Sequence, residues 1–162
     1  MIREAKTQDL KAITEIYNDA IRDTTAVYTY HETTVEERTQ WMRKKQKEGW
    51  PLWVCEIEGE IAGFATYGTF RDWPAYQYTI EHSIYVSTQY RRKGVASKLL
   101  KYLIEDAKKK GYQTIVAGID ASNKGSILLH EHHGFVAAGV LRQVGYKFDR
   151  WLDLAFYQLQ LK

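Results

Sequence analysis

Very little in this sequence crosslinks the chain or interrupts it. Among 162 residues there is one cysteine, Cys55, and there are two prolines, Pro51 and Pro74. A lone thiol excludes an intrachain disulfide and fits a reducing compartment. Its apolar surroundings predict a buried, inert side chain rather than a nucleophile. No Ser/Gly-rich stretch, repeat or low-complexity segment divides the chain, so residues 1–162 read as one domain. Long hydrophobic runs are also missing. Segments such as Ser126 to Leu129 fall far short of a membrane span, and the charged opening Met1-Ile2-Arg3-Glu4 is unlike a secretory leader. Charge of one sign is scarce, because 23 Lys and Arg against 20 Asp and Glu leave a net +3. That surplus carries no case for nucleic acid, so any basic site must be local. The expectation is a soluble, cytoplasmic protein with no membrane or nucleic-acid partner.

What is present is clear periodicity. Ile2 to Ala5 reads as a short strand, after which Thr7 can cap a helix carrying Leu10, Ile13, Tyr17, Ala20 and Ile21 at helical spacing. Thr34 and Glu37 form a capping-box pattern ahead of a second helix that Gly49 and Pro51 would end. The period then changes. Leu52 to Ile57 and Ile61 to Phe70 read as a hairpin, and Tyr78 to Val86 as a further strand. Gly94 opens a helix with Val95, Leu99, Leu103, Ile104 and Ala107 on one face. Thr114 to Ile119 predicts a strand, Lys124 to His133 a short helix, and Phe135 to Leu141 and Trp151 to Leu161 two closing strands. The order is β-α-α-β-β-β-α-β-α-β-β.

The chemistry concentrates in two segments. From Glu81 to Ser97 a strand runs into the basic turn Arg91-Arg92-Lys93-Gly94 and then into a helix. A helix start exposes unpaired N–H groups and the positive dipole end, and three cations add charge suited to a pyrophosphate. Neither G-x-x-x-x-G-K-[ST] nor G-x-G-x-x-G follows a strand, which disfavours nucleoside triphosphates and dinucleotides. The second segment runs from Asn123 through Ser126 and His130 to Gly134-Phe135. Its His130-Glu131-His132-His133 cluster lacks the H-E-x-x-H spacing of a zinc site and has no Cys pair, so no metal is predicted.

Arg91-x-x-Gly94-x-Ala96 resembles the cofactor loop of the GNAT superfamily of N-acetyltransferases, and Asn123 through Phe135 resembles its second cofactor motif. Ile16-Tyr17-Asn18, Glu81 to Val86, and Leu141-Arg142-x-x-Gly145-Tyr146-Lys147 with Trp151 and Asp153 narrow the resemblance to the phosphinothricin-type branch over nearly the whole chain. Two positions depart from the wider superfamily: Ala96 replaces a glycine and His130 a tyrosine, the latter matching the branch. The resemblance implies an α/β (α+β) acyl-CoA N-acyltransferase fold, a mixed and mostly antiparallel sheet with a splayed pair of parallel strands and about four helices. It implies acetyl-CoA as donor and the α-amino group of a small amino-acid analogue, such as phosphinothricin or methionine sulfoximine, as acceptor.

Within that frame each residue has an expected role. Glu81 is the general base that takes a proton from the acceptor ammonium. His130 is the acid to the departing thiolate, or else simply lies on the cofactor side of its helix. Backbone groups of Ile84, Tyr85 and Val86 align the donor, with the Val86 N–H as oxyanion donor. Arg91, Arg92, Lys93 and the N–H groups of Gly94, Val95, Ala96 and Ser97 hold the pyrophosphate, and Asn123 and Ser126 contact the cofactor farther along. Acceptor contacts fall to Tyr30, His82, Lys147 and the long loop containing Arg71, Asp72 and Trp73, where a guanidinium suits a carboxylate or phosphinate. Tyr28, Arg142 and Tyr146 lie in neighbouring connections. The aromatic tail Tyr146, Phe148, Trp151, Phe156 and Tyr157 is either buried or covers a partner, and the resemblance to a branch whose members pair implies a homodimer. The rival reading is a non-catalytic acyl-CoA-binding module of the same fold.

Overall fold

Alternation along the strands sorts the apolar residues onto the two faces of one sheet. The computed structural model describes residues 1–162. In chain order it contains β1 (Ile2–Glu4), α1 (Leu10–Asp23), α2 (Val35–Glu48), β2 (Leu52–Ile57), β3 (Glu60–Thr69) and β4 (Thr79–Val86). Next come α3 (Val95–Lys109), β5 (Thr114–Asp120), α4 (Lys124–His132), β6 (Val136–Lys147) and β7 (Arg150–Gln160). The seven strands lie in the order β1-β2-β3-β4-β5-β7-β6. Every neighbouring pair is antiparallel except β4 and β5.

The larger core packs α3 against the sheet through Leu99, Leu100 and Leu103, which meet Trp53, Tyr67, Ile80 and Ile115. On the opposite face α1 and α2 bring Leu10, Ile13, Ile16 and Met42 against Leu52, Val54 and Phe64. Cys55 is buried in the larger core, as its setting predicts. No helix is long and apolar enough to cross a membrane.

Local chemistry explains where boundaries differ from expectation. Thr7 does not cap α1; a single 3-10 turn occupies Thr7–Asp9, and Asp9 takes over the junction. Its carboxylate accepts the Lys6 N–H at 2.7 Å and both arms of Arg3 at 2.8 and 2.9 Å. Burial alone would raise the Asp9 pKa, but Arg3 and the Lys6 N–H outweigh it and hold the carboxyl below its ordinary range. The start of α2 matches its capping pattern: Thr34 Oγ1 accepts the Glu37 N–H at 3.1 Å, and Gly49 ends the helix at φ 79°.

The largest difference is β6, expected to stop at Leu141 but continuing to Lys147. It turns into β7 through Phe148 and Asp149 alone, at φ 54° and 59°. Two consecutive left-handed residues make a mirror-image hairpin turn, which sequence normally signals with glycine or asparagine, and neither is present. A register irregularity between Leu141 and Gly145 further masks the strand. Gly145 is required there, because a Cβ would lie 2.7 Å from the Tyr28 ring.

The seam between β4 and β5 positions the site. Only Thr79 with Thr114, Ile80 with Ile115 and Glu81 with Val116 pair across it. Beyond those pairs β4 continues to Val86 and β5 to Asp120 with no ladder between them, the splay that the resemblance implies.

Candidate active site

Where the strands part, a cavity of about 860 Å³ opens between Glu81–Val86 of β4 and Ala117–Asp120 of β5. The α3 entry from Tyr90 to Ser97, the first turns of α4 and residues Thr25, Ala26 and Tyr28 complete its walls. The backbone of β4 explains its polarity. Ser87 donates to Ala62 O at 2.8 Å, and the register then assigns the odd residues of β4 to hydrogen bonds with β3. The N–H and C=O groups of Ile84 and Val86 therefore face the splay, where β5 offers them no partner. An extended ligand with amide groups could complete that ladder.

The α3 entry has the features of an anion site. Gly94 at φ 78° is the N-cap and supplies no side-chain cap, so the first N–H groups of the helix stay open toward the cavity. Arg92 is also left-handed, at φ 62°. None of Arg91, Arg92 and Lys93 forms an ion pair with a carboxylate. Ser97 Oγ lies 2.8 Å from His133 Nε2. Asn123 has a structural task as N-cap of α4, its Oδ1 accepting the Ser126 N–H at 3.1 Å.

Glu81 sits at the last paired position of the seam. Burial raises its pKa and the nearby Arg71 guanidinium partly opposes that shift, leaving the carboxyl above its ordinary range. Gly118 across the cavity leaves space beside it: a Cβ there would lie 3.6 Å from Glu81 Oε2.

His82 points to the opposite face, as alternation requires, and pairs with His130, Nε2 to Nε2 at 3.0 Å. His130 Nδ1 lies 2.7 Å from Ser126 O, and a carbonyl only accepts, so Nδ1 carries the hydrogen. Burial pushes the pKa of both rings down, which makes them neutral near pH 7. Nε2 of His130 is then the acceptor and Nε2 of His82 the donor, while the buried His82 Nδ1 has no partner. In this arrangement His130 has no proton aimed into the cavity. That counts against the acid role expected of it and favours the alternative, a side chain on the cavity side of α4.

The expected acceptor contacts do not converge on one place. Arg71, Asp72 and Trp73 lie together on the exposed loop between β3 and β4, with the Arg71 guanidinium 4.3 Å from the Phe70 ring centroid. Tyr30 is exposed and its hydroxyl donates to Tyr146 O. His82 is buried behind the strand rather than beside these groups. Lys147 is buried too, and its ammonium donates to Thr24 O at 2.7 Å and Val27 O at 2.8 Å. That employment makes it a pin for the α1–α2 connection instead of an open ligand.

Sequence reasoning missed Asp120, which is buried at the cavity edge and binds Thr25 Oγ1, the Ser122 N–H at 3.0 Å and Arg150 at 3.6 Å. Burial opposes ionisation, yet Thr25 and Ser122 outweigh it and lower its pKa. Asp-x-Ser at the end of a strand, the pattern of an Asx turn, was the available signal. No group of three or more His, Cys, Asp and Glu side chains is arranged to hold a metal ion.

The acetyltransferase (GNAT) domain family matches residues 2–156. An L-methionine sulfoximine/L-methionine sulfone acetyltransferase from Salmonella typhimurium is 42% identical over 160 residues, 99% of this chain and 94% of that protein. An N-acetyltransferase from Staphylococcus aureus Mu50 superposes with a TM-score of 0.99 at 62% identity, covering 100% of this chain and 98% of the other. A GNAT superfamily phosphinothricin acetyltransferase from Sinorhizobium meliloti, solved in complex with acetyl-CoA, gives 0.95 at 33% identity, covering 99% and 87%. With an open parallel seam, an uncapped helix start beneath a basic turn and a carboxylate at the junction, the chain belongs to the GNAT acetyltransferases. It is an N-acetyltransferase of the branch that includes the methionine sulfoximine and phosphinothricin enzymes.

Proposed function

We propose that the protein acetylates the α-amino group of a small amino-acid analogue, such as phosphinothricin or methionine sulfoximine, with acetyl-CoA as donor. The observation that carries the reading is the seam itself, which stops pairing at Glu81 and leaves Ile84 and Val86 unpaired beside an uncapped basic helix start. Those groups fit the donor: unpaired backbone amides suit the pantetheine arm, and open N–H groups with Arg91, Arg92 and Lys93 suit the pyrophosphate. When bound, acetyl-CoA supplies a thioester-activated acetyl group and a thiol leaving group.

The chain's own residues do the rest. Glu81, its carboxyl held above the ordinary range by burial, accepts the proton that the acceptor ammonium must lose. The Val86 N–H, which faces the open seam, would donate to the acyl oxygen, an interaction commonly worth a few kcal/mol. Arg71, close enough to influence Glu81, grips the acceptor's acid group. Transfer is direct, because the only thiol, Cys55, is buried in the core. The protein works as one cytoplasmic domain that pairs with itself. Val140, Leu141, Val144, Tyr146, Phe148 and Trp151, all exposed on the β6–β7 hairpin, support that pairing.

Release of free thiol from acetyl-CoA in the presence of these acceptors tests the reading; binding without release would favour the non-catalytic module. Arg91→Ala with Arg92→Ala should raise KM for acetyl-CoA by about tenfold and KM for the acceptor far less, since charge contacts to phosphate are lost. Sedimentation at micromolar concentration should give twice the 18.9 kDa monomer mass, and a fully active monomer would refute the pairing.

A further inference from the structure

Glu81, Ser83 and Tyr85 border not only the main cavity but also a second, half-open pocket of about 200 Å³ on the α1–α2 side of the sheet. Tyr17, Arg38, Trp41, Lys45 and Phe64 supply most of its remaining wall. Its aromatic rings are interlocked, Tyr17 edge-on to Tyr85 at 5.3 Å and Trp41 edge-on to Phe64 at 6.3 Å between centroids.

Neither cation among these rings forms an ion pair. The Arg38 guanidinium lies 4.7 Å from the Tyr17 centroid and 4.6 Å from that of Trp41, forms no ion pair, and has a buried Nε with no hydrogen-bond partner. Stacking occupies the faces of a guanidinium and leaves its edge, where all five N–H donors point, available. Lys45 Nζ donates once, to Tyr67 O at 3.0 Å, and meets no carboxylate. Burial pushes that ammonium down to about 8, and the attraction of Glu48, which is not in ion-pair contact, opposes this only in part. Gly68 leaves it room, because a Cβ there would lie 3.5 Å from Nζ. Buried donors left unmet are costly, so a partner of matching chemistry should be drawn to them. Aromatic walls with two unpaired cations suit a short apolar stem that ends in an anion.

We propose that this pocket receives an anionic head group on the acceptor's side chain, a phosphinate or carboxylate, which Arg38 binds through its guanidinium edge while Lys45 adds charge. The assignment rests on the reading of Glu81 as base for the α-amino group, since that position of the amine brings the acceptor's side chain alongside the pocket. It makes Arg38 a specificity residue. Acceptors with charged side chains gain from it, and neutral ones of similar length do not.

The test compares L-phosphinothricin, whose head group is anionic, with L-methionine sulfone, whose head group is neutral. Arg38→Gln keeps a stem over the rings but removes the charge. It should raise KM for phosphinothricin at least tenfold more than KM for the sulfone, and Arg38→Lys should recover part of the difference. An equal change for both acceptors, or none for either, would overturn the proposal and leave Arg38 as packing alone. Calorimetric titration with phosphinothricin in the absence of acetyl-CoA separates this outcome from failure of the transferase reading. A parent that releases no thiol refutes the latter, yet phosphinothricin binding at least tenfold weaker in Arg38→Gln still supports the pocket. Equal affinity, or no binding to the parent, refutes the pocket.

Discussion

The two halves of the β4–β5 seam are made from similar strand residues and do opposite things. In the paired half Ile80 and Ile115 face each other, both fully buried beneath α3. In the open half Ile84 and Val86 are only partly buried, and their backbone groups look into a cavity. The difference lies in the connection that leaves each strand. After β4 the chain must reach the start of α3, and after β5 it must reach Asn123 at the start of α4, so the strands part as they approach two separate helix entries. A parallel pair has no hairpin to hold its ends together, and the separation costs only a few ladder bonds. One half holds the fold together, and the other is left free to bind.

Substitutions can break this contrast. The largest loss of stability belongs to the paired half: Ile115→Ala should cost about 2–5 kcal/mol, because it opens a cavity under α3, and chemical denaturation would measure it. A value near zero would show that the seam is not held there.

Glu81→Gln, at the junction, should leave stability and acetyl-CoA affinity almost unchanged while lowering kcat roughly 10²-fold, the scale of general-base catalysis. The sign of its pH dependence follows from the shift. The base works deprotonated, so activity should fall as pH drops through a pKa above the usual carboxylate range, and the Gln variant should lose that limb. An acid limb that persists in Glu81→Gln would assign it to another group.

The smallest effect belongs to the far wall of the open half. Asn123→Ala should cost about 1 kcal/mol through loss of the α4 cap, and Asn123→Ser should restore it. A rise in KM for acetyl-CoA that serine does not repair would give Asn123 a direct contact with the donor as well.

These halves were unequally legible in the sequence. Val95, Leu99, Leu103, Ile104 and Ala107 recur at helical spacing because they face one core, and all five are buried. The basic turn and Glu81 were readable because charge and glycine at a strand–helix junction have few other uses. Pairwise placement was not. Nothing in the composition of His82 and His130 tells that the two rings meet, since that contact joins residues 48 apart in sequence. Lys147 looked like a surface ligand, but two carbonyls of the α1–α2 connection account for its burial. The length of β6 was hidden for another reason. Its residues from Val136 to Val144 are exposed on both faces, so no inward and outward alternation marks the strand.

The strand order also has a consequence in time. Synthesis proceeds from the N-terminus, and β6 is made before β7, yet β6 pairs only with β7 and β7 alone joins it to β5. While the ribosome is adding the residues after Lys147, the first four strands already have their neighbours, β5 has only β4, and β6 has none. Its backbone edge and aliphatic side chains stay uncovered until the two-residue turn at Phe148 and Asp149 folds β7 back between them. The nascent chain is therefore most exposed to wrong pairing between the synthesis of β6 and that of β7, and β7 is the strand that closes the gap between β5 and β6.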